Sequence, residues 1–245
     1  MPFLYAIYKL WVLTVFTVFL LLVYPFVFLS FKREGPYTTV YKLLRFSSRI
    51  VLYLSGIFPR IIRLSPDPAP PFIIAPNHTS YLDILCIYIA FKNYTIFTAK
   101  KELLHIPVFN IFFKKMNIPV ERENIIASAQ ATEKVQDEIK KGSNVVIFPE
   151  GTIPPTAPSP GPLKRGAFFL SIKLNIPIVP VVFLYNWKRL GGHTLTDGRA
   201  SPGSTIIIIE KPIYPSECNY NEQIMAEKWT HTIMKHLTPI LHQPV

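Results

Sequence analysis

The sequence predicts an α/β fold, with a largely parallel sheet flanked by helices and an N-terminal apolar segment that associates with a membrane. Three observations support this prediction. Beyond residue 70, short apolar runs of strand length alternate with helical stretches. These runs are apolar throughout rather than at every second residue, which is typical of strands covered on both faces. Near the N-terminus, residues 10–31 form a run of 22 residues without a charge.

Composition supports the membrane part of this prediction. The chain has 245 residues, enough for one large domain with a sizeable core. It is 49% hydrophobic and only 17% charged, more apolar than an ordinary soluble domain. Its net charge of +11 favours an anionic partner. Cys86 and Cys218 lie far apart, so we expect neither a disulfide framework nor a metal site.

The segment 10–31 is long enough to cross or deeply enter a bilayer core of roughly 30 Å. It carries no small-residue cleavage site of the kind that ends a signal peptide. Pro25 leaves two alternatives open, a segment that spans the bilayer and one that re-enters the same leaflet. Basic residues follow the segment and place the remainder on the cytoplasmic face. They are Lys32, Arg33, Lys42, Arg45, Arg49, Arg60 and Arg63.

The stretch 45–63 is apolar and rich in arginine, and we expect a helix that lies among the lipid headgroups. The alternative is a core helix with a basic solvated face. The proline-rich residues 65–71 mark a boundary. We therefore expect membrane-associating helices over residues 1–64 and a catalytic domain over residues 65–245.

Within the second part, strands and helices alternate in order. Helix 125–141 is the best marked, with Asn124 as an N-cap and Gly142 as its end. The expected strands are 71–75, 94–99, 117–123, 145–148, 176–185 and 204–213. The expected helices are 81–90, 103–116 with an interruption at Pro107, 125–141, 164–175 and 220–237.

Polar clusters follow two of these strands. Asn77 and His78 come directly after the first strand, and Glu150 comes soon after the fourth. Because chemistry in such folds sits at the carboxyl ends of strands, the two clusters could converge on one cleft. A helix that starts after His78 would bring Asp83 back beside the imidazole. The carboxylate would then orient the ring and leave its other nitrogen as a general base. The alternative is that Asp83 only favours the helix N-terminus and that His78 is an ordinary loop residue.

Other catalytic motifs are missing from the sequence. It contains no nucleophile elbow, no phosphate-binding Walker loop and no dinucleotide fingerprint. Ser80 is conceivable as a nucleophile, whereas Cys86 lies in an apolar helical run where packing is the more common role. This pattern favours a base that activates an external nucleophile, without a covalent enzyme intermediate.

Four ordered motifs carry a resemblance to a known family. They are NHTSYLD (77–83), VERE (120–123), FPEGT (148–152) and IVPV (178–181), with AKKEL at 99–103 as a fifth match. Over roughly residues 70–190 the chain resembles the glycerolipid acyltransferases. Within that family it is most similar to the 1-acylglycerol-3-phosphate (lysophosphatidate) acyltransferases.

The resemblance implies a reaction for residues 65–245. Such enzymes transfer a fatty acyl chain from acyl-CoA or acyl-carrier protein to the free hydroxyl of a lysophospholipid, here giving phosphatidate for phospholipid synthesis. It implies that His78 takes the proton of that hydroxyl and that Asp83 orients His78. No cofactor is expected besides the acyl donor, and the expected partners are the bilayer, the lysophospholipid and the donor.

The resemblance also assigns residues to substrate binding. Arg122 matches an arginine that holds the acceptor phosphate, which suits the fork geometry of a guanidinium. The full set is Lys100, Arg122, Glu150, Gly151, Thr152 and Lys164. Alternatives remain: the lysines could face anionic lipid, and Glu150 could be a structural carboxylate.

The chain departs from the family pattern at three positions. Ile153 stands where many relatives carry an arginine, Asn110 replaces a usual glycine, and Glu121 replaces a usual aspartate. These changes leave open another lysolipid, an amino-acid lipid or glycerol 3-phosphate as the acceptor. A non-catalytic membrane-anchored lipid-binding protein is disfavoured because the His78–Asp83 pair is complete. Nucleic acid is disfavoured because many of the basic residues flank the apolar segment.

Overall fold

The computed structural model describes residues 2–32, 37–105, 108, 110–121 and 125–241. Within these ranges, seven strands form one sheet: β1 (Ile57–Arg63), β2 (Ile73–Pro76), β3 (Thr95–Lys100), β4 (Ile118–Val120), β5 (Asn144–Val146), β6 (Ile178–Leu184) and β7 (Gly203–Ile209). The α-helices are α1 (Pro2–Ser30), α2 (Thr38–Leu54), α3 (Leu82–Ala90), α4 (Asn110–Lys115), α5 (Ile125–Lys140), α6 (Gly166–Leu174), α7 (Asn186–Arg189) and α8 (Glu222–Leu241). Short 3-10 helices cover Lys101–His105 and Pro215–Cys218.

The sheet has the strand order β1-β7-β6-β2-β5-β3-β4. Every neighbouring pair is parallel except β6 and β7, which run antiparallel with Val181 opposite Ile209. The predicted largely parallel α/β sheet is therefore confirmed. Strands β6, β2, β5, β3 and β4 are adjacent and point the same way, so the residues that follow them meet at one edge of the sheet.

Helices cover both faces of this sheet. Along β2, Phe72 and Ile74 enter one core cluster, whereas Ile73 and Ala75 enter the other. The first cluster includes α1 to α4, and the second includes α5, α6 and α8. Since both faces are buried, both sets of alternating side chains must be apolar, which explains the continuous apolar strands in the sequence.

The expected helix over 45–63 is wrong over its last nine residues, 55–63. Helix α2 ends at Leu54, and Gly56 adopts a left-handed φ of 71° that turns the chain. Residues 57–63 then form the edge strand β1, paired in parallel with β7. An edge strand tolerates Pro59, whose missing N–H would break a central ladder. The division of the chain at residue 64 stays a prediction.

Helix α1 is long and apolar enough over Phe3–Ser30 to cross a membrane, by length and composition. Only 22% of its apolar window is buried. Its N-terminal half is tied to the end of α2, because the Tyr8 hydroxyl donates to the Ser55 carbonyl (2.7 Å) and the Trp11 indole donates to Leu54 (3.1 Å). The rest of its surface exposes large apolar side chains.

Helix α2 is amphipathic. One face contributes Val40, Tyr41, Val51 and Leu52 to the core. The opposite face exposes two basic and two aromatic side chains at helical spacing, namely Lys42, Phe46, Arg49 and Tyr53. A basic and aromatic face of this kind is typical of a helix that lies at a lipid surface.

Candidate active site

The site lies at the carboxyl edge of β2 and β5, which are adjacent parallel strands. His78 follows β2, and Glu150 follows β5, so topology alone brings them to the same edge. The two loops touch directly: Glu150 Oε1 accepts the backbone N–H of His78 at 2.8 Å. The convergence predicted for the two polar clusters is therefore observed.

His78 and Asp83 form a hydrogen-bonded pair, with Nδ1 and Oδ2 2.9 Å apart. Asp83 lies in the first turn of α3 and is fully buried. Its Oδ2 also accepts the backbone N–H groups of Thr79 (2.6 Å) and Ser80 (3.0 Å). Because this oxygen can only accept, the imidazole proton sits on Nδ1 and the lone pair on Nε2. This is the arrangement of a general base, and the catalytic role itself stays a prediction.

The His78 ring is held from one face by Phe148. The two ring centroids are 4.0 Å apart with an interplanar angle of 27°. The side chain is 15% exposed, and within the described part of the chain Nε2 has no hydrogen-bond partner. The ring is therefore held by its Nδ1 hydrogen bond and by Phe148, and we expect a substrate hydroxyl to approach Nε2.

The two conceivable enzyme nucleophiles have structural positions. The buried Ser80 hydroxyl donates to the Leu190 carbonyl at 2.6 Å. Cys86 is fully buried in α3, and burial, with the nearby Asp83 charge, raises the pKa of its thiol far above the ordinary value. Neither group is an activated nucleophile, which agrees with a base acting on an external hydroxyl.

The Glu150 carboxylate links the loop after β2 to the connection between β5 and α6, to which Glu150 itself belongs. Besides the His78 N–H, it accepts the Gly161 N–H on Oε2 at 2.8 Å. Burial raises the pKa of Glu150, while these two N–H partners and His78 act in the opposite direction. Gly151 is buried and adopts a φ of 72°, which favours glycine. This geometry favours the structural role that the sequence left open for Glu150, and contact with the acceptor stays a prediction.

The other assigned residues lie around this edge or outside the described ranges. Lys100 ends β3 and is exposed, as is Thr152. Lys164 has an exposed side chain, and its N–H donates to the Pro149 carbonyl at 2.7 Å. Arg122 lies outside the described residues. The structure leaves the binding roles of all four as predictions.

Two of the departures from the family pattern have visible consequences. Ile153, where many relatives carry arginine, is only 7% exposed and packs inward. Glu121 pairs with Lys101 at 2.7 Å on the surface. At position 153 the chain therefore has a buried apolar side chain in place of a cation. The Glu121 carboxylate is paired with Lys101.

An apolar cavity of about 620 Å³ lies near this edge, although neither His78 nor Asp83 belongs to its lining. Its wall includes Tyr81 and Leu82, which lie between His78 and Asp83 in sequence. Helices α1, α2 and α3 supply most of the remaining lining, with Phe97 and Ala99 of β3. Segment 190–195 closes another side, and Lys9 of α1 donates to its Thr194 carbonyl at 2.8 Å. The volume lies within the range of small-molecule sites, roughly 300–1,000 Å³.

One residue of the site was missed from the sequence. Asn186 follows β6, the strand beside β2, and donates to Asp83 Oδ1 at 2.7 Å. The signal was available, since Asn186 is a polar residue directly after a strand, like His78. Among the described residues, no group of three His, Cys, Asp or Glu side chains could hold a metal ion. The expectation that no metal is needed stays a prediction.

Comparisons with known proteins identify the family of this chain. A model of the acyltransferase family matches residues 59–184, more than half of the chain. A chloroplastic 1-acyl-sn-glycerol-3-phosphate acyltransferase of Brassica napus is 30% identical over 155 residues, covering 63% of this chain and 44% of the relative. A probable 1-acyl-sn-glycerol-3-phosphate acyltransferase of Mycoplasma genitalium is 30% identical over 201 residues, covering 78% of this chain and 72% of the relative.

The fold is also similar to a solved structure. The crystal structure of the 1-acyl-sn-glycerophosphate acyltransferase PlsC from Thermotoga maritima superposes with a TM-score of 0.76 over the full length of both chains, at 18% identity. The chain spans about half the length of the first plant relatives it matches, 44% and 46%. On the family match and the relative from Mycoplasma genitalium, the chain belongs to the acyltransferase family.

Proposed function

We propose that the protein is a 1-acylglycerol-3-phosphate O-acyltransferase, which converts lysophosphatidate and an acyl thioester into phosphatidate. The observation that carries this proposal is the His78–Asp83 pair, with Nδ1 and Oδ2 2.9 Å apart. Tyr81 and Leu82, which lie between the two residues in sequence, line an apolar cavity. Family membership and the names of the relatives support the same reaction.

In the proposed mechanism, the free hydroxyl oxygen of the acceptor attacks the thioester carbonyl carbon. His78 Nε2 takes the hydroxyl proton as the C–O bond forms, and Asp83 stabilises the resulting imidazolium. The tetrahedral intermediate collapses by breaking the C–S bond. The leaving thiolate then takes the proton from His78, which returns the site to its starting state. No bond to the enzyme forms.

The cavity suits the acyl chain of the donor. Its lining is mostly aliphatic and aromatic, and its wall runs past Tyr81 and Leu82, directly before Asp83. A chain in this cavity would hold its thioester carbonyl near His78. Orientation of this kind removes much of the entropic cost of bringing two substrates together.

The acceptor headgroup would be bound by basic side chains. Arg122 and Lys100 are the residues we assign to the phosphate, Arg122 because a guanidinium can bind two phosphate oxygens. Ile153 removes one cation that many relatives have. For that reason, glycerol 3-phosphate and other lysolipids are the alternative acceptors to compare.

The membrane would supply the lipid acceptor. Helix α1 exposes most of its apolar window, and α2 exposes a basic and aromatic face. We propose that α1 anchors the protein, that α2 lies on the lipid surface, and that the catalytic domain faces the cytoplasm. Docking of both helices would place the cavity, which they line, at the source of the lipid substrates.

The test is an assay of purified protein in phospholipid vesicles, read by lipid mass. Acyl-CoA and acyl-carrier protein would each be offered with lysophosphatidate, glycerol 3-phosphate and neutral lysolipids. We expect phosphatidate from lysophosphatidate at a kcat/KM well above that for every other acceptor. A greater kcat/KM with another acceptor would overturn lysophosphatidate as the substrate. The absence of transfer to every acceptor would overturn the proposed acyltransferase activity.

A further inference from the structure

The buried amide of Asn186 contacts the carboxylate of the catalytic pair. Asn186 is the first residue of α7 and has no exposed surface. Its Nδ2 donates to Asp83 Oδ1 at 2.7 Å and approaches Cys86 Sγ at 3.6 Å. Its Oδ1 accepts the Thr205 hydroxyl, which also lies 2.7 Å from the Leu184 carbonyl. The amide orientation follows from these neighbours, because a carboxylate can only accept.

This contact complements the others that Asp83 makes. Three donors share Oδ2, namely His78 Nδ1 and two backbone N–H groups of the preceding loop. The other oxygen, Oδ1, receives Asn186 at 2.7 Å and the Thr79 hydroxyl at 3.4 Å. Asn186 is therefore the closer of the two hydrogen-bond donors to Oδ1. With both oxygens bonded, the carboxylate cannot rotate away from the imidazole.

The backbone before Asn186 is arranged to make this contact. Tyr185 has φ 72° and ψ 0°, a left-handed conformation that is uncommon for a residue with a side chain. It lies between β6 and α7, and its carbonyl accepts the N–H groups of Lys188 (2.9 Å) and Arg189 (3.1 Å). Unfavourable backbone conformations of this kind persist where the surrounding structure holds them, often at functional sites.

We propose that Asn186 is a positioning residue for acyl transfer. By donating to Asp83 Oδ1, it fixes the carboxylate in the orientation that keeps the His78 proton on Nδ1 and the lone pair on Nε2. The proposal rests on the proposed function and adds Asn186 to the His78–Asp83 pair. Asn186 acts on the substrate only through Asp83 and His78.

The pH dependence of the rate follows from charge. The amide stabilises the unprotonated pair, which carries a net negative charge, more than the protonated pair, which is neutral overall. Without the amide, the pair should take up its proton at a higher pH. The acid limb of the pH–rate profile then moves upward, because only the unprotonated pair can act as base.

Other titratable groups face Asp83 from the elements around it. They are His78 after β2, Glu150 after β5 and Cys86 on α3 itself. On α7, Lys188 lies over the rings of Tyr185 and Trp187, and Arg189 bonds to Ser201 and Pro202. The substitutions below leave all of these groups in place.

The test compares two variants of Asn186 with a matched buried asparagine, in full-length protein that forms phosphatidate. Asn186→Leu removes the donor, and Asn186→Asp keeps the shape. The control is Asn144→Leu at the start of β5, where Asn144 is 1% exposed and accepts the Phe72 N–H at 3.2 Å. Kinetics would be measured across pH, with a thermal melt of each variant.

For Asn186→Leu we expect kcat to fall about tenfold to a hundredfold, with KM for both substrates within about twofold of the original and the acid limb shifted upward. Asn186→Asp should retain activity at low pH, where the introduced carboxyl keeps a proton to donate. At higher pH it should lose activity, because two adjacent carboxylates cannot both ionise without repulsion. Asn144→Leu should lower the melting temperature without moving either limb.

Two results would overturn the positioning role. One is a folded Asn186→Leu variant with an unshifted acid limb. The other, decisive if that variant does not fold, is an Asn186→Asp variant without a new loss of activity at high pH. Failure of the proposed function looks different, because the unmodified protein would then form no phosphatidate at all.

Discussion

At the carboxyl edge of the sheet, two buried carboxyl groups support one partly exposed ring. The His78 side chain is 15% exposed, whereas Asp83 is fully buried and accepts hydrogen bonds on both oxygens. Both carboxyl oxygens of Glu150 accept hydrogen bonds from backbone N–H groups. In the proposed mechanism, this ring acts on the substrate, and the carboxyl groups that support it need not touch the substrate.

Arg122 is the residue to test for phosphate recognition. Arg122→Ala should raise the KM for lysophosphatidate about tenfold to a hundredfold while leaving the KM for the acyl thioester nearly unchanged, because only the acceptor would lose charge-assisted hydrogen bonds. Arg122→Lys should restore binding only in part. Steady-state kinetics with each substrate varied separately measures both constants. The control is Arg165→Ala, which removes an exposed arginine paired with Glu222 (2.9 Å). Equal increases for both substrates with a lower melting temperature would assign Arg122 to the fold.

Glu150 should make stability depend on pH. Burial raises the pKa of its carboxyl above the ordinary 4.5, so the folded protein binds this proton more tightly than the unfolded chain. The stability that the group contributes is therefore full below about pH 4.5 and is lost as pH rises through the folded pKa. The free energy of unfolding of the unmodified protein minus that of Glu150→Gln should decrease over this window. Chemical unfolding in detergent at several pH values measures the difference, with Glu227→Gln as an exposed control. An increase with pH would contradict the burial effect.

Among the elements, the first two helices lie between the apolar cavity and an exposed apolar and basic surface. Helices α1 and α2 line the apolar cavity on one side, while their other sides expose apolar, basic and aromatic groups. The strand β1 that follows them pairs with β7, so α2 continues directly into the edge of the sheet. Contact of these helices with lipid would therefore be transmitted to the wall of the cavity.

The exposed face of α2 should sit deeper in anionic than in neutral vesicles. A polarity-sensitive fluorophore on Phe46→Cys should report this as a blue shift, since Cys86 and Cys218 are buried and remain unlabelled. Replacing both Lys42 and Arg49 by Gln should remove most of the difference, because basic residues near an anionic surface contribute on the order of 1 kcal/mol each. Replacing Lys140 and Lys141 at the end of α5 removes the same charge elsewhere and should have little effect. Equal emission in both vesicle types before any charge is removed would refute surface docking of α2.

At the scale of the whole molecule, local sequence patterns predicted the sheet and part of the site, namely the residues that follow β2 and β5. Strands buried on both faces are apolar throughout, so they could be recognised, and the rule that chemistry follows the strands led to His78 and Glu150. Residues 57–63 were misassigned because their strand exists only through pairing with β7, about 145 residues later. Asn186 was missed because its contact with Asp83 spans 103 residues and depends on β6 lying beside β2.

The central claim is that the His78–Asp83 pair catalyses acyl transfer to lysophosphatidate. The most direct measurement is the initial rate of phosphatidate formation by the unmodified protein and by His78→Ala, in the same vesicles and with saturating acyl donor. We predict that the initial rate falls about 10²–10⁴-fold, the usual contribution of a general base. Membrane association and melting temperature should be unchanged. A loss of less than about tenfold in a folded, membrane-bound His78→Ala variant would contradict this mechanism.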